Sequence, residues 1–232
     1  MHTRQHQQTR VAPHITLLLT VVAFLVCTSM PRAGEFALSE QLLTDIEQQY
    51  GEYARQRVLQ WTELIITNRH LNYEVDKLQK VNDFFNKLEF VNDIDHWGKE
   101  DYWATPLQLL TSNGGDCEDF SIAKYFTLRE MGIPAERMRL TYVKALELDQ
   151  AHMVLTYYAS TDAEPLVLDN LVSDILPSPE RKDLLPVYSF NGNGLWLAKS
   201  RGTEQRIGNP SRLSRWQEVI AKISDEQITL AY

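Results

Sequence analysis

A single cysteine set among acids is the first place where this chain could do chemistry. In Gly114-Gly115-Asp116-Cys117-Glu118-Asp119 a thiol follows two glycines at the point where a helical pattern begins. The first turn of a helix offers unpaired backbone N–H groups and the positive end of the dipole, and both favour a thiolate nucleophile. The glycines are expected to turn the backbone sharply and leave the sulfur open to a substrate chain. The N–H of Cys117 is then placed to act as one oxyanion donor. A thiol also needs a base, and beyond residue 33 the histidines are His70, His96 and His152. His70 ends a polar helix turn and suits a solvated cap, and His96 sits in an acidic loop. His152 opens the apolar strand Ala151-His152-Met153-Val154-Leu155, which would hold its ring rigidly. A carboxylate accepting the second ring N–H fixes the tautomer. Asp169, at the end of Leu166-Val167-Leu168, is the natural one, because a carboxylate there is costly unless it is paired. Each residue has a plainer use as well: a buried inert thiol, a structural strand histidine, and an Asp-Asn turn.

Asp116, Glu118 and Asp119 place three carboxylates within four residues, hard oxygen ligands of the kind Ca²⁺ takes. A cation bound there could order the helix start and act on the thiol. The same residues also suit a helix cap and acids that complement its dipole, worth about 0.3–1 kcal/mol each. Trp97, Tyr102 and Trp103 stand just before the cysteine helix and suit a substrate groove, a second oxyanion donor or core packing alike.

The elements that must carry these groups follow from periodicity. Apolar positions at three- and four-residue steps predict helix from about Ser39 to Asn68, with a break at Gly51, and again from about Tyr73 to Phe90. Residues 92–103 lose the pattern and read as loop. Pro106 opens a short helix that Thr111-Ser112-Asn113-Gly114-Gly115 closes. The cysteine helix runs to about Met131, where Gly132 and Pro134 stop it. The period then becomes two, giving strands over 137–142, 152–158 and 165–169. Val187–Phe190 and Leu195–Lys199 flank Asn191-Gly192-Asn193-Gly194 as a hairpin, and a helix around Leu213–Ile223 follows. Helices first and strands after define an α+β domain.

Composition bounds the partners. The 232 residues carry a formal charge of −8 and 44% hydrophobic content, enough for one domain with a proper core. Arg4 and Arg10 precede an apolar run from Ile15 to Cys27, followed by Ser29, Pro31, Ala33 and Gly34, the layout of a secretory signal peptide over residues 1–33. The run is shorter than the roughly 20 residues a helix needs to span a bilayer, so no stable membrane insertion of the mature chain is expected. Residues 34–232 would form the single mature domain. Losing Arg4, Arg10 and Arg32 and no acid takes the charge from −8 to −11, which argues against nucleic acid as a partner. Cys27 leaves with the leader. The unpaired Cys117 then remains in an oxidising compartment, where a lone thiol invites a catalytic reading.

Gly115-Asp116-Cys117-Glu118-Asp119-Phe120, Ala151-His152-Met153-Val154 and Leu168-Asp169-Asn170 resemble the three blocks of the bacterial transglutaminase-like cysteine proteinases, over roughly residues 60–200. The resemblance implies a transglutaminase-like (papain-like) core, with N-terminal helices followed by an antiparallel sheet and the nucleophile at a helix N-terminus. It implies a triad of Cys117, His152 and Asp169, in that chain order. It also implies a periplasmic, Ca²⁺-dependent endopeptidase that cuts a large repeat-containing surface adhesin near its N-terminal region, at a paired-alanine site, and so disperses biofilm. An inner-membrane receptor for cyclic di-GMP would sequester the enzyme as its inhibitor. The residues alone leave two other classes open: a protein-modifying acyltransferase (transglutaminase or deamidase) that uses the same triad, and a binding module that does no chemistry.

Overall fold

The computed structural model describes residues 36–160, 162–200 and 203–226. The expected leader, residues 1–33, lies outside the described residues. Two helices come first, α1 (Glu40–Tyr50) and α2 (Glu52–Asn68), parted by Gly51 at φ 87°, a conformation that glycine adopts without strain. Ser39 caps α1 by accepting the Leu42 N–H at 3.1 Å. α3 (Glu74–Phe85) ends five residues earlier than its apolar pattern suggests. The next residues leave the helix because Glu89–Phe90 (β1) pair in parallel with Gly114–Gly115 (β2). Residues 92–103, expected as loop, contain a single helical turn, α4 (Asp93–His96).

α5 (Pro106–Ser112) starts as its sequence directs. Thr105 and Gln108 form a reciprocal capping box, Pro106 holds the first turn, and Asn113 closes the helix in the left-handed region at φ 63°. α6 (Cys117–Glu130) begins on a second capping box, between Asp116 and Asp119. Six strands follow, β3 (Met138–Ala145), β4 (Gln150–Tyr157), β5 (Leu166–Leu168), β6 (Leu176–Pro177), β7 (Leu184–Phe190) and β8 (Leu195–Ser200). β9 (Thr203–Gly208) extends the sheet, and α7 (Ser214–Asp225) closes the described chain. The sheet is antiparallel throughout, in the order β6-β5-β4-β3-β7-β8-β9. The expected α+β class is therefore the observed one. β9 was not expected, because Glu204, Gln205 and Arg206 give an edge strand no apolar alternation.

α6 is the centre of the molecule. Its side chains are almost all buried, and it packs on β3 and β4 to one side and on α3 and α5 to the other. Phe126 stacks on Trp216 of α7 at 5.6 Å. Trp61 of α2 is fully buried and donates its indole N–H to Thr127 Oγ1 of α6 at 2.8 Å. At the far end of α6 the Lys77 ammonium bonds the Met131 carbonyl at 2.7 Å and the Arg69 carbonyl at 2.8 Å. Both ends of the helix are thus fixed by polar contacts, and its length by packing. Among the described residues no helix is long and apolar enough to cross a membrane.

Thr127→Val keeps the shape of the side chain and strands the Trp61 N–H in the core. An unmet buried donor costs about 1–3 kcal/mol, so the denaturant midpoint should fall with its slope unchanged.

Candidate active site

The site forms where β4 loses its neighbour. β5 pairs with β4 only from Leu155 to Tyr157, so the edge of β4 at His152 and Met153 is free to receive α6. Ser121 Oγ donates to the Met153 carbonyl at 3.0 Å, and the Met153 N–H hydrogen-bonds the Cys117 sulfur. Cys117, in the first turn of α6, therefore lies against the residue that follows His152. His152 in turn meets Asp169, its Nε2 standing 2.8 Å from Asp169 Oδ1. Cys117, His152 and Asp169 are 8%, 2% and 1% exposed. The structure brings the three sequence-selected residues into one buried locus. His70 is exposed on the surface. His96 ends α4, where its ring packs edge-on against Trp97 at 4.5 Å.

Asp169 is the most heavily determined group of the three. Its Oδ1 also accepts the Leu171 N–H at 3.0 Å, its Oδ2 accepts from Arg181 Nη2 at 2.7 Å, and its backbone carbonyl accepts from Asn86 Nδ2 at 2.8 Å. Burial alone would raise its pKa. The hydrogen bond and charge of His152, then the Leu171 N–H and Arg181, outweigh burial and hold the carboxyl down at about 2.

Cys117 behaves differently from what a helix N-terminus alone would give. Burial pushes the thiol well above its ordinary value, and the charges of Glu118 and Asp116 push it further, against the Met153 N–H. The thiol donates to Glu118 Oε2 at 2.8 Å. The three acids around it, Asp116, Glu118 and Asp119, repel one another. Asp116 is raised by burial and by Glu118 and Asp119, and Asp119 is raised to about 8, mostly by burial.

The acids fall into two overlapping groups, each compact enough to hold one cation. Asp116 and Asp119 stand with Asp93, ligand atoms within 4.8 Å of one another, and Asp116 also stands with Cys117 and Glu118. Asp93 escapes sequence reading, because it lies 23 residues before Asp116 in a segment without periodicity. In the structure it is 4% exposed, its Oδ2 accepts the Tyr102 N–H, and its Oδ1 has no partner among the described residues. An unmet buried carboxylate oxygen facing two further carboxylates is a donor set for a hard cation.

Gly114 and Gly115 are needed for close approach, and neither has a positive φ, so the sharp turn expected of them is absent. A Cβ on Gly115 would fall 2.3 Å from Asp119 Oδ2 and 2.9 Å from Leu109 Cδ1, and one on Gly114 would fall 2.9 Å from the Glu89 carbonyl oxygen. An open cleft of about 600 Å³ runs past the start of α6, lined by Asp93, Asp116, Glu118, Trp103, Tyr142 and Tyr188 among others. Tyr142 and Tyr188 stack at 5.1 Å. Of the three aromatics flagged in the sequence, Trp103 lines this cleft, whereas Trp97 and Tyr102 pack on each other at 4.8 Å.

A thiol at a helix mouth, on an α+β core, beside a strand histidine bonded to a buried carboxylate, defines the papain-like class of acyl-transfer folds. The model for "bacterial transglutaminase-like cysteine proteinase BTLCP" matches residues 49–183, and the chain belongs to that family. It is a cysteine protease of this kind. LapG of Legionella pneumophila is 39% identical over 81% of this chain and 99% of its own, with a TM-score of 0.69. The EGTA-treated form of that protein gives 40%, the same coverage and 0.70. Its calcium-bound form gives 40%, 80% and 99%, and 0.68. Comparison with curated protein sequences finds no match.

Gly115→Ala drives a methyl into the Asp119 carboxylate that caps α6. Overpacking of this kind costs about 1–3 kcal/mol, and thermal melting of the variant should show a lower Tm.

Proposed function

We propose that this chain is a periplasmic, calcium-dependent cysteine endopeptidase, with Cys117 as nucleophile, His152 as base and Asp169 as the residue that orients the histidine. The observation that carries the reading is the buried 2.8 Å contact between His152 Nε2 and Asp169 Oδ1. With Nε2 committed to the carboxylate, Nδ1 is the ring atom left to exchange a proton with a nucleophile. The Cys117 thiolate attacks a peptide carbonyl, and the N–H at the helix mouth supports the oxyanion. Protonated His152 gives its proton to the departing amine, and water, deprotonated by His152, then hydrolyses the thioester. The expected signal peptide on residues 1–33 supports the periplasm as the compartment.

The calcium reading is supported by the calcium-bound form of the Legionella LapG and by the orphaned Asp93 oxygen. Asp93, Asp116 and Asp119 would hold the ion, with Glu118 beside them. Bound there, calcium would supply positive charge to offset Glu118 and Asp116, whose charges add to burial in raising the Cys117 thiol. The substrate follows from the resemblance to adhesin-cleaving family members: the N-terminal region of a large repeat-containing surface adhesin, cut at a paired-alanine site to release cells from a biofilm. An inner-membrane cyclic di-GMP receptor would act as inhibitor by covering the cleft.

A purified N-terminal adhesin fragment containing a paired-alanine site should be cut by the protein in calcium and left intact in EGTA. Cys117→Ala should be inactive in both, and Asp169→Asn should lose about 10²–10⁴ in kcat. Intact fragment under every condition would reject the protease assignment for this substrate, whereas amine incorporation in place of hydrolysis would make the enzyme an acyltransferase.

The raised carboxyls set the pH dependence of metal binding. Asp119, held up to about 8, and Asp116 keep their protons longer than ordinary carboxyls do, so calcium must displace protons to bind. Calcium affinity should therefore rise between pH 6 and pH 8. Calorimetry in two buffers of different ionisation enthalpy should detect the released protons.

A further inference from the structure

Arg181 has no role in the reaction described above, yet it is 4% exposed and its side chain reaches the middle of the site. It follows a single 3-10 turn at Ser178–Glu180, between β6 and β7. Its Nη2 donates to Asp169 Oδ2 at 2.7 Å and to Asp183 Oδ2 at 2.8 Å, and its Nε donates to Asp183 Oδ1 at 3.0 Å. Asp183 thus grips the planar guanidinium with both oxygens and aims one nitrogen at Asp169. The two oxygens of Asp169 are divided in consequence, Oδ1 to His152 and the Leu171 N–H, Oδ2 to Arg181. Rotating the carboxylate would break a buried ion pair, so the oxygen that faces the histidine is fixed. Beyond His152 the charges alternate along Asp169, Arg181 and Asp183, and the line ends at a cleft of about 410 Å³ on the side of Asp183 and Lys182. Arg181 Nη1 has no partner among the described residues.

We propose that Arg181, clamped by Asp183, is a positioning residue for the reaction: it locks the Asp169 carboxylate on His152 and balances its charge, so that the histidine is oriented yet still gives up its proton. The proposal rests on the assignment of Cys117, His152 and Asp169 made above. The groups that act on this carboxylate are His152 from β4, Arg181 from the turn after β6, Asp183 behind it, and Lys124 from α6, a buried amine whose field includes Asp169. Cys117 lies against Met153, the residue after His152, with Glu118 beside the sulfur. Burial holds Lys124 down at about 7, so it titrates in the working range, but every variant below shares it.

Removing the cation leaves Asp169 to hold an imidazolium more tightly, and removing Asp183 lets Arg181 draw more of the Asp169 charge to itself. The two changes therefore act on the histidine in opposite directions, which a purely structural role would not do. The test measures the pH dependence of cleavage of the paired-alanine adhesin fragment, in calcium, by wild type, Arg181→Met, Arg181→Lys and Asp183→Asn, with His152→Ala and Asp169→Asn alongside. Arg181→Met should lose about 10- to 100-fold in kcat with KM within about twofold, and its alkaline limb should move up by about half a pH unit or more. Arg181→Lys should recover part of kcat and return the limb toward wild type. Asp183→Asn should move the limb down. If Arg181→Met fails to fold, the direction of the Asp183→Asn limb decides alone. Wild-type limbs in the folded Arg181 and Asp183 variants, beside inactive His152→Ala and Asp169→Asn, would overturn the positioning role and leave the triad standing. Full activity in His152→Ala and Asp169→Asn would instead overturn the triad itself.

Discussion

One open strand edge organises the site. A β-sheet edge presents unpaired N–H and C=O groups that must find partners when buried. At Met153 those partners are the Ser121 hydroxyl and the Cys117 sulfur of α6. The shortness of β5 is therefore a functional feature: a strand paired as far as His152 would take the bonds that now seat the helix. The same truncation leaves Asp169, one residue past the end of β5, free to turn toward the histidine. Helix, histidine and carboxylate are registered against one another by side chains that meet this open backbone edge and each other.

Charge sets the second constraint, and it acts in opposite senses on the two sides of His152. Toward Asp169 the neighbours, His152, the Leu171 N–H and Arg181, favour the anion, so the carboxylate stays ionised although it is dry. Toward Cys117 burial, and then the charges of Glu118 and Asp116, drive the thiol away from its anion, and Asp116 also caps its helix. A helix start tolerates acids because its dipole favours them. A thiolate at the same place does not. Arg57, whose guanidinium bonds the Leu110 and Thr111 carbonyls at 2.6 and 3.0 Å, is spent on the end of α5, and Lys222 bonds the Trp103 carbonyl. Lys222, whose charge reaches Asp119, is thus committed to a carbonyl, and Asp93 Oδ1 keeps no partner among the described residues.

What could be read from sequence was what is encoded locally. The cap at Asp116, the stop at Gly132 and Pro134 and the break at Gly51 all depend on residues within a few positions of each other, and each lies where it was expected. The three blocks around Cys117, His152 and Asp169 were legible because each pairs one reactive residue with a recognisable element. Features set by distant partners were not. Glu89–Phe90 continue the apolar pattern of α3, but two glycines 25 residues away recruit them into a strand. Asp93 is one acid among several in an aperiodic stretch, and only the fold places it beside Asp116 and Asp119. Arg181 sits 12 residues after Asp169 in a polar turn, with no spacing rule to connect them.

The three residues of the proposed triad are not among those that line the cleft. Cys117, His152 and Asp169 are held by the interior of the fold, where a change of even one methylene is felt. The cleft beside them is walled by Tyr142 and Tyr188, which stack on each other from adjacent strands, and by Glu100, Asp101, Arg212 and Arg215 at its mouth. Asp116 and Glu118 line the cleft and also flank the thiol. A ligand that contacts those two acids from the cleft therefore alters the field at the sulfur as well as occupying the groove. The two acids thus couple recognition to reactivity without requiring any movement of the buried residues.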